Sequence, residues 1–337
     1  MLERIKSFKA IAAAGLMGTL LLLSGCGSES TNGDAGSSDK EKEELFNIGV
    51  TQIVEHPSLD AALEGFKKAL EDSGIEASYD VQIAQGDQNN NQSIATNFAG
   101  DGVDLIFANS TPSALSALNA TKDIPIVFTS VTDPVGAQLV KSMDSPEGNI
   151  TGTTDTHPDA IPNMVKFIDE QFEAGTVGVI YNSGEQNSEV QIEKVREALS
   201  STDMKLAEAT VSNSSEVKQA AESLVGKADA IYIITDNTVV SALESVIQVS
   251  NDNDVPLFVG ELDSVKRGGF AAYGFDYEDI GYEAGEMAAK ILKDGKKPSE
   301  LPVQYPQNLK LVINKKAAEE MGIDLKEEWS DLAEFVE

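Results

Sequence analysis

The feature that most constrains the fold is a regular alternation of short apolar runs with longer amphipathic stretches, which begins at Leu45. The strand-like runs of the first half are 46–50, 80–84, 104–108 and 124–128. Between the first two, the segment 59–70 places Leu59, Leu63 and Phe66 on one helical face. Apolar strands separated by helices predict a parallel sheet that is covered by helices on both faces.

The same alternation restarts near residue 160, and its strand-like runs are 177–181, 205–211, 230–234, 256–259 and 310–313. The sequence therefore predicts an α/β protein with two similar lobes, each with a parallel sheet flanked by helices. The chain is expected to cross between the lobes near 148–155 and 273–276, and the helix at 280–292 returns to the first lobe. The predicted N-terminal lobe is 45–152 plus 276–300, and the predicted C-terminal lobe is 153–275 plus 301–337.

The N-terminus indicates an exported chain. Basic residues at positions 4, 6 and 9 precede an uncharged apolar run over 10–23, which fits a secretory signal better than a membrane span. The tetrapeptide Leu23-Ser24-Gly25-Cys26 resembles a bacterial lipoprotein signal, which implies a signal peptide over 1–25 and a lipid on Cys26. The alternative is an ordinary signal peptide with an incidental cysteine. Residues 26–44 then form a polar, flexible tether between the lipid and the lobes.

Composition excludes several functional classes. Cys26 is the only cysteine, so none is left for a disulfide, a thiolate metal site or a cysteine nucleophile. The 56 acidic residues outnumber the 25 basic ones, which argues against nucleic acid as a partner. His56 and His157 are the only histidines and are too few for a convincing metal site. No nucleotide-binding, phosphate-loop or hydrolase motif occurs, and no cofactor is predicted.

Polar residues follow nearly every predicted strand. Ligands of open parallel sheets bind outside the carboxyl ends of the strands, and two lobes present two such rims to each other. Many of these side chains could equally cap the helices that begin there. The candidate ligand-binding residues are Gln52, His56, Ser110, Thr111, Ser113, Ser130, Tyr181, Asn182, Asp236, Asn237 and Asp263.

Two opposite chemistries are predicted for the two rims. Hydroxyls and free N–H groups at Ser110, Thr111 and Ser113 stand at a helix start and suit a carboxylate, with Ser130 completing the pocket. In the opposite lobe, Asp236 and Asp263 could pair with an ammonium group, or could each serve only as a cap or turn residue. A ligand held by both lobes would draw them together.

The sequence resembles the substrate-binding lipoproteins of ABC transporters in the tryptophan/tyrosine-associated family. The stretches that carry this resemblance are Gly49–Pro57, Ala84–Gln88, Ala108–Ala114, Asp123–Val135, Thr235–Val239 and Asp263–Gly268. The similarity covers about residues 46–324 in the expected order. It implies a type I periplasmic-binding-protein fold with a ligand cleft at the hinge, and delivery of the ligand to a permease with an ATPase. It also implies an aromatic amino acid such as tryptophan or tyrosine as the ligand.

We therefore expect a monomeric, extracytoplasmic binding protein without enzymatic activity, anchored to the cell membrane through Cys26. The alternatives are a ligand-sensing lipoprotein that serves a receptor and an extracytoplasmic enzyme on the same fold. The aromatic side chains that could wall the ligand pocket, or could simply be core, are Phe128, Tyr181, Tyr273 and Phe275. Trp329 is expected to be a surface or packing residue.

Overall fold

The computed structural model describes residues 45–337, so the predicted signal peptide, Cys26 and tether lie outside the described residues. The strands are β1 Leu45–Gln52, β2 Glu76–Ile83, β3 Leu105–Asn109, β4 Ile126–Val131, β5 Ile150–Thr154, β6 Thr176–Asn182, β7 Lys205–Val211, β8 Ala230–Ile233, β9 Leu257–Val259, β10 Ala271–Gly274, β11 Lys310–Asn314 and β12 Ala333–Val336. The helices are α1 Pro57–Asp72, α2 Gln88–Asp101, α3 Thr111–Ala120, α4 Ala160–Gln171, α5 Gln186–Leu199, α6 Val217–Leu224, α7 Asn237–Val240, α8 Leu243–Asp252, α9 Leu262–Arg267, α10 Tyr277–Asp294 and α11 Lys315–Glu320. Among the helices of residues 45–337, none is long and apolar enough to span a membrane.

The first lobe contains a five-stranded parallel sheet in the order β2-β1-β3-β4-β5. Every residue of β3 and β4 is buried, as the continuous apolar runs predict for strands covered on both faces. Phe66 of α1 stacks on Phe107 of β3 with ring centroids 3.9 Å apart. This contact joins the helical layer to the centre of the sheet.

The second lobe contains a seven-stranded sheet in the order β7-β6-β8-β9-β10-β11-β12. Its neighbouring strands are parallel except for β10 and β11, which pair antiparallel. Trp329 is 1% exposed and packs against the rings of Phe167, Phe172 and Phe270. The single tryptophan is therefore a core residue of this lobe.

The chain leaves the first sheet slightly later than predicted. Strand β5 extends to Thr154, two residues beyond the predicted boundary at 152. At the return crossing, the Thr154 N–H donates to the carbonyl of Gln304 at 2.9 Å, and the Thr151 hydroxyl donates to the carbonyl of Leu301 at 2.6 Å. Residues 301–304 therefore pair along the edge of the first sheet before the chain enters the second sheet at β11.

Helices α1 and α10 approach each other closely through glycines. A Cβ at Gly281 of α10 would lie 1.9 Å from the carbonyl oxygen of Ala62, and one at Gly65 of α1 would lie 2.1 Å from that of Glu278. The missing side chains let α10, which follows a crossing from the second lobe, lie directly on the first lobe. This helix pair thus fixes one end of the hinge.

We expect Gly281→Ala to destabilise the protein by about 1–3 kcal/mol, because the added methyl group must push two helix backbones apart. Gly100→Ala in α2 is the matched control, since a Cβ there meets nothing within 4 Å and alanine has the higher helix propensity. Urea unfolding of both variants checks this. A Gly281→Ala variant as stable as Gly100→Ala would contradict the close approach.

Candidate functional site

The carboxyl ends of the strands of both lobes meet along an interlobe seam. The Ser58 hydroxyl, in the first turn of α1, donates to Glu261 Oε2 at 2.8 Å, and both residues are buried. The side chain of Asn237, at the start of α7, hydrogen-bonds the imidazole of His56, which precedes α1. The two predicted rims therefore face each other, as the sequence analysis proposed.

On the first-lobe side, Asn109 links two of the predicted site residues. Its Nδ2 donates to Gln52 Oε1 at 3.0 Å, and its Oδ1 accepts from the Ser130 hydroxyl at 2.9 Å. Gln52 in turn donates to Asp60 at 2.9 Å. Gln52 and Ser130 therefore belong to a buried network that stiffens the rim.

The predicted carboxylate site is brought together at the start of α3. The Ser110 oxygen accepts from the N–H of Ser113 at 3.3 Å, so Ser110 caps the helix. The Ser113 hydroxyl donates to Asn91 at 3.3 Å, and Thr111 Oγ1 accepts from the N–H of Thr132 at 3.4 Å. Ser110 has φ 126, a conformation that L-residues rarely adopt, and such strain concentrates at functional sites.

Asp236 acts as a buried helix cap. Its Oδ1 accepts from the N–H of Val239 at 2.8 Å, and its Oδ2 accepts from the N–H of Asn182 and the hydroxyl of Ser188, both at 2.6 Å. Burial, together with the charge of the neighbouring Glu185, raises the pKa of its carboxyl to about 7. Because its oxygens are engaged by α7, β6 and α5, Asp236 is poorly placed to bind an ammonium group.

Tyr181 lies away from the seam, whereas Asp263 does not. Asp263 pairs with Lys266 at 2.8 Å one turn along α9, its side chain is 16% exposed, and its charge raises the pKa of Glu261 and of Tyr277. The Tyr181 hydroxyl donates to Glu208 at 2.8 Å, on the side of the second sheet where Arg196 also binds Glu208. The structure does not bring Tyr181 to the other candidates.

Two buried carboxylates at the seam were missed by the sequence analysis. Glu261 is 3% exposed and accepts from Ser58 and Ser264, while Asp155 accepts from the hydroxyls of Thr132 at 2.9 Å and Tyr277 at 3.2 Å. Burial raises the pKa of Glu261 to about 7 and that of Asp155 to about 6, and Glu261 adds to the shift of Asp155. Glu261 lies in the polar segment that follows β9, and this position after a strand was the sequence signal that could have identified it.

Neither of these carboxylates is paired with a basic residue among residues 45–337, although the charge of Lys194 lowers the pKa of Asp155. Within the part of the chain that the structure describes, Asp155 and Glu261 form no ion pair. The basic residue that lowers the pKa of Glu261 is Arg267, whose guanidinium is bound to Glu244 at 2.8 Å. A buried, unpaired carboxylate is costly, so the pair favours either protonation or a cation supplied from outside the chain.

A third missed carboxylate, Glu185, organises the second-lobe rim. Its Oε2 accepts from Asn237 Nδ2 at 2.5 Å and from Asn187 Nδ2 at 3.1 Å, and its Oε1 accepts from Thr238 at 2.8 Å. His56, 4% exposed, faces this group from the first lobe. Burial lowers the pKa of His56 to about 4, so its ring is neutral at pH 7.

Two cavities open along the seam. One of about 80 Å³ is lined by residues that include Val54, Glu185 and Asn237, and one of about 30 Å³ lies at the hinge beside Asp155 and Phe275. Both are smaller than the roughly 300–1,000 Å³ of ordinary ligand pockets. The lobes are therefore closed on each other, and a ligand can enter only when they separate. No group of three potential metal ligands occurs among residues 45–337.

The predicted aromatic walls lie in different places. Phe128 is fully buried in the first-lobe core, and Tyr273 contacts Phe167 of the second-lobe core. Phe275 lines the hinge cavity and stacks on Tyr277 with centroids 5.6 Å apart. Of the four candidates, Phe275 alone lies at one of the two seam cavities described above.

We expect Glu261 to make stability depend on pH. Its folded pKa of about 7 exceeds the ordinary 4.5, so the folded protein binds this proton more tightly than the unfolded chain. The resulting destabilisation is absent below about pH 4.5, grows as pH rises, and is complete above about pH 7. Relative to wild type, Glu261→Gln should gain on the order of 1–3 kcal/mol in free energy of unfolding between pH 5 and pH 8. Urea titrations of the two proteins and of Glu64→Gln, a control at an exposed carboxylate that pairs with Lys67, measure this gain, and equal changes in all three would contradict the burial.

The sequence matches the family described as "ABC transporter substrate binding protein" over residues 47–336. It is 43% identical over 318 residues to the "Tyrosine-binding protein" of Clostridioides difficile, which covers 92% of this chain and 90% of that protein. The structure of an ABC domain in complex with L-Trp from Streptococcus pneumonia has a TM-score of 0.82 and 32% identity, covering 87% of this chain and 100% of that one. The ligand-free, open structure of a substrate binding protein with adhesive properties from Clostridium difficile has a TM-score of 0.64 and 41% identity, covering 87% and 99%. These matches confirm the predicted fold class.

Proposed function

Because this chain belongs to the ABC transporter substrate-binding protein family, we propose that it captures an aromatic amino acid between its lobes and hands it to a membrane permease. Members of the family bind small molecules for a transporter. The relative from Clostridioides difficile is named for tyrosine, and the Streptococcus structure holds L-Trp. The ligand would leave this protein chemically unchanged.

The observation that carries the proposal is the pair of buried carboxylates at the seam, Asp155 and Glu261. They come from different parts of the hinge region, Glu261 raises the pKa of Asp155, and neither forms an ion pair with residues 45–337. An α-ammonium group between them would supply the missing charge and several N–H donors. This assigns to Asp155 and Glu261 the role that the sequence analysis gave to Asp236 and Asp263.

The other end of the ligand would meet the start of α3. Ser110, Thr111 and Ser113 are fully buried there, and the N-terminus of this ten-residue helix favours a carboxylate. Gln52 and Ser130 would hold this rim in position through Asn109. A zwitterion thus bridges a helix N-terminus on the first lobe and a carboxylate on the second, which favours the closed form.

The aromatic character of the ligand is supported by the hinge. Phe275 and Tyr277 stack with an interplanar angle of 19°, and the Tyr277 hydroxyl is bonded to Asp155. Phe275 and the buried Tyr232 both line the hinge cavity. Flat apolar surfaces next to the proposed ammonium site suit an aromatic side chain.

We expect Glu261→Gln to weaken binding of tyrosine or tryptophan by at least about tenfold, because an ion pair with the ammonium is lost. Asp263→Asn is the comparison: it removes a carboxylate two residues away that already pairs with Lys266, so it should weaken binding less than Glu261→Gln does. Isothermal titration of both variants with both amino acids measures this difference.

The opposite ranking, with Asp263→Asn the weaker binder, would restore the clamp predicted from sequence. Mass spectrometry of the ligand that co-purifies with residues 27–337 tests the proposal independently. An intact aromatic amino acid supports it, whereas a ligand without an amine, or a chemically altered product, would overturn it.

We also propose that the protein is a monomeric lipoprotein outside the cytoplasm, held to the membrane by a lipid on Cys26. The support is the basic start, the apolar run and the small residues before this single cysteine. The polar segment 27–44 would give the lobes reach to meet a permease.

We expect Cys26→Ser to abolish incorporation of labelled palmitate in a bacterial host, because the sulfur that accepts the lipid is missing. The variant should lose its stable attachment to the membrane fraction, since no second acyl chain replaces the anchor. Labelling and fractionation measure both effects. Continued labelling of the variant would show that the lipid, if any, is elsewhere.

A further inference from the structure

Glu185 orients two amide side chains so that their oxygens face away from it. A carboxylate can only accept, so Asn187 and Asn237 must each turn their NH₂ group toward Glu185 Oε2. The amide oxygen of Asn187 is left buried and without a partner. The amide oxygen of Asn237 is the atom that remains to face His56.

This arrangement sets the tautomer of His56. An amide oxygen accepts, so the ring nitrogen that meets Asn237 must carry the proton. Nδ1 is the ring nitrogen that is buried without a partner, which leaves Nε2 to donate to Asn237. The neutral ring then presents the lone pair of Nδ1 as a bare acceptor.

Two buried acceptors from opposite lobes are thus unpaired in one side-chain cluster. His56 is 4% exposed and Asn187 is 2% exposed, so water does not reach them freely. An unpaired buried acceptor costs about 1–3 kcal/mol, and such groups call for a partner. Both lie in the group of side chains around Glu185, whose own oxygens already accept from Asn187, Asn237 and Thr238. The acceptors that remain there are neutral, whereas Asp155 and Glu261 are the stronger acceptors for a charged amine.

We propose that His56 Nδ1, together with Asn187 Oδ1, accepts a hydrogen bond from the ligand side chain, so that the protein selects aromatic amino acids with a ring donor, such as tyrosine or tryptophan, over phenylalanine. This inference rests on the proposed function and names His56 as a specificity residue within it. A ring without a donor leaves the acceptors unpaired on binding, and sites built to bond a ligand O–H or N–H strongly reject analogues that lack it.

The test compares tyrosine, tryptophan and phenylalanine by isothermal titration against wild type and three variants. His56→Gln keeps a group near Nε2 for Asn237 but removes the Nδ1 acceptor, and His56→Asn keeps an oxygen near Nδ1. Glu64→Gln is the control, since this exposed carboxylate of α1 pairs with Lys67 at 2.8 Å.

Wild type and Glu64→Gln should prefer tyrosine to phenylalanine by at least about tenfold. In His56→Gln the affinities for tyrosine and phenylalanine should differ by less than about threefold, with tyrosine binding weakened and phenylalanine binding nearly unchanged. His56→Asn should recover part of the preference. The imidazole ¹⁵N shifts, simple to assign with two histidines, should show the Nε2–H tautomer of His56 and a change at Nδ1 when tyrosine binds.

Equal affinity of wild type for tyrosine and phenylalanine would overturn the inference without any variant, and would leave the proposed function intact. An unchanged preference in a folded His56→Gln, or an Nδ1–H tautomer in wild type, would overturn it as well. Failure of all three amino acids to bind would instead overturn the proposed function on which the inference rests.

Discussion

The structure depends above all on carboxylates that closure of the lobes buries without an ion pair to residues 45–337. Glu261 reaches across the seam to Ser58 of the other lobe, and Asp155 stands at the crossing between the lobes. Hydroxyl donors bind both groups, but hydroxyls compensate an ionised carboxylate only in part. Closure of the seam therefore carries a free-energy cost that a cationic ligand group would remove. Charge, rather than buried apolar area, then decides whether the closed form persists.

The comparisons agree with a closed arrangement. The open relative is more similar in sequence than the L-Trp complex, at 41% against 32% identity, yet it superposes less well, with a TM-score of 0.64 against 0.82. Sequence divergence cannot produce this order of TM-scores, because it predicts that the relative with the higher identity superposes better. A difference in the angle between the lobes produces it directly, since one global superposition cannot fit two lobes that have rotated apart. The hydrogen bonds that cross the seam, such as the one from Ser58 to Glu261, agree with this closed arrangement.

Most of the fold could be predicted from periodicity, because apolar strands and amphipathic helices leave regular patterns. Ligand-facing side chains leave no such pattern, since their direction depends on how each helix begins. Glu261 precedes α9 and points across the seam, while Asp263, two positions on, pairs with Lys266 one turn along the same helix. Asp236 carries the right charge, but its oxygens are consumed by α7 and neighbouring donors. Tyr181 lies near the end of β6, as expected, yet its side chain points away from the seam toward Glu208.

Two kinds of acceptor lie at the seam in different side-chain groups, ionised carboxylates and neutral acceptors, and a single group could not serve as both. Ionised carboxylates bind any primary amine strongly and so discriminate poorly among amino acids. Neutral acceptors contribute less affinity, but they penalise a ligand that leaves them unpaired. Glu185 supports this discrimination without binding the ligand itself, because its oxygens already accept hydrogen bonds from Asn187, Asn237 and Thr238. The Glu185 carboxylate thus fixes the direction of neutral acceptors instead of binding the ligand itself. These acceptors let an acidic seam discriminate the ring of a zwitterion as well as bind its amine.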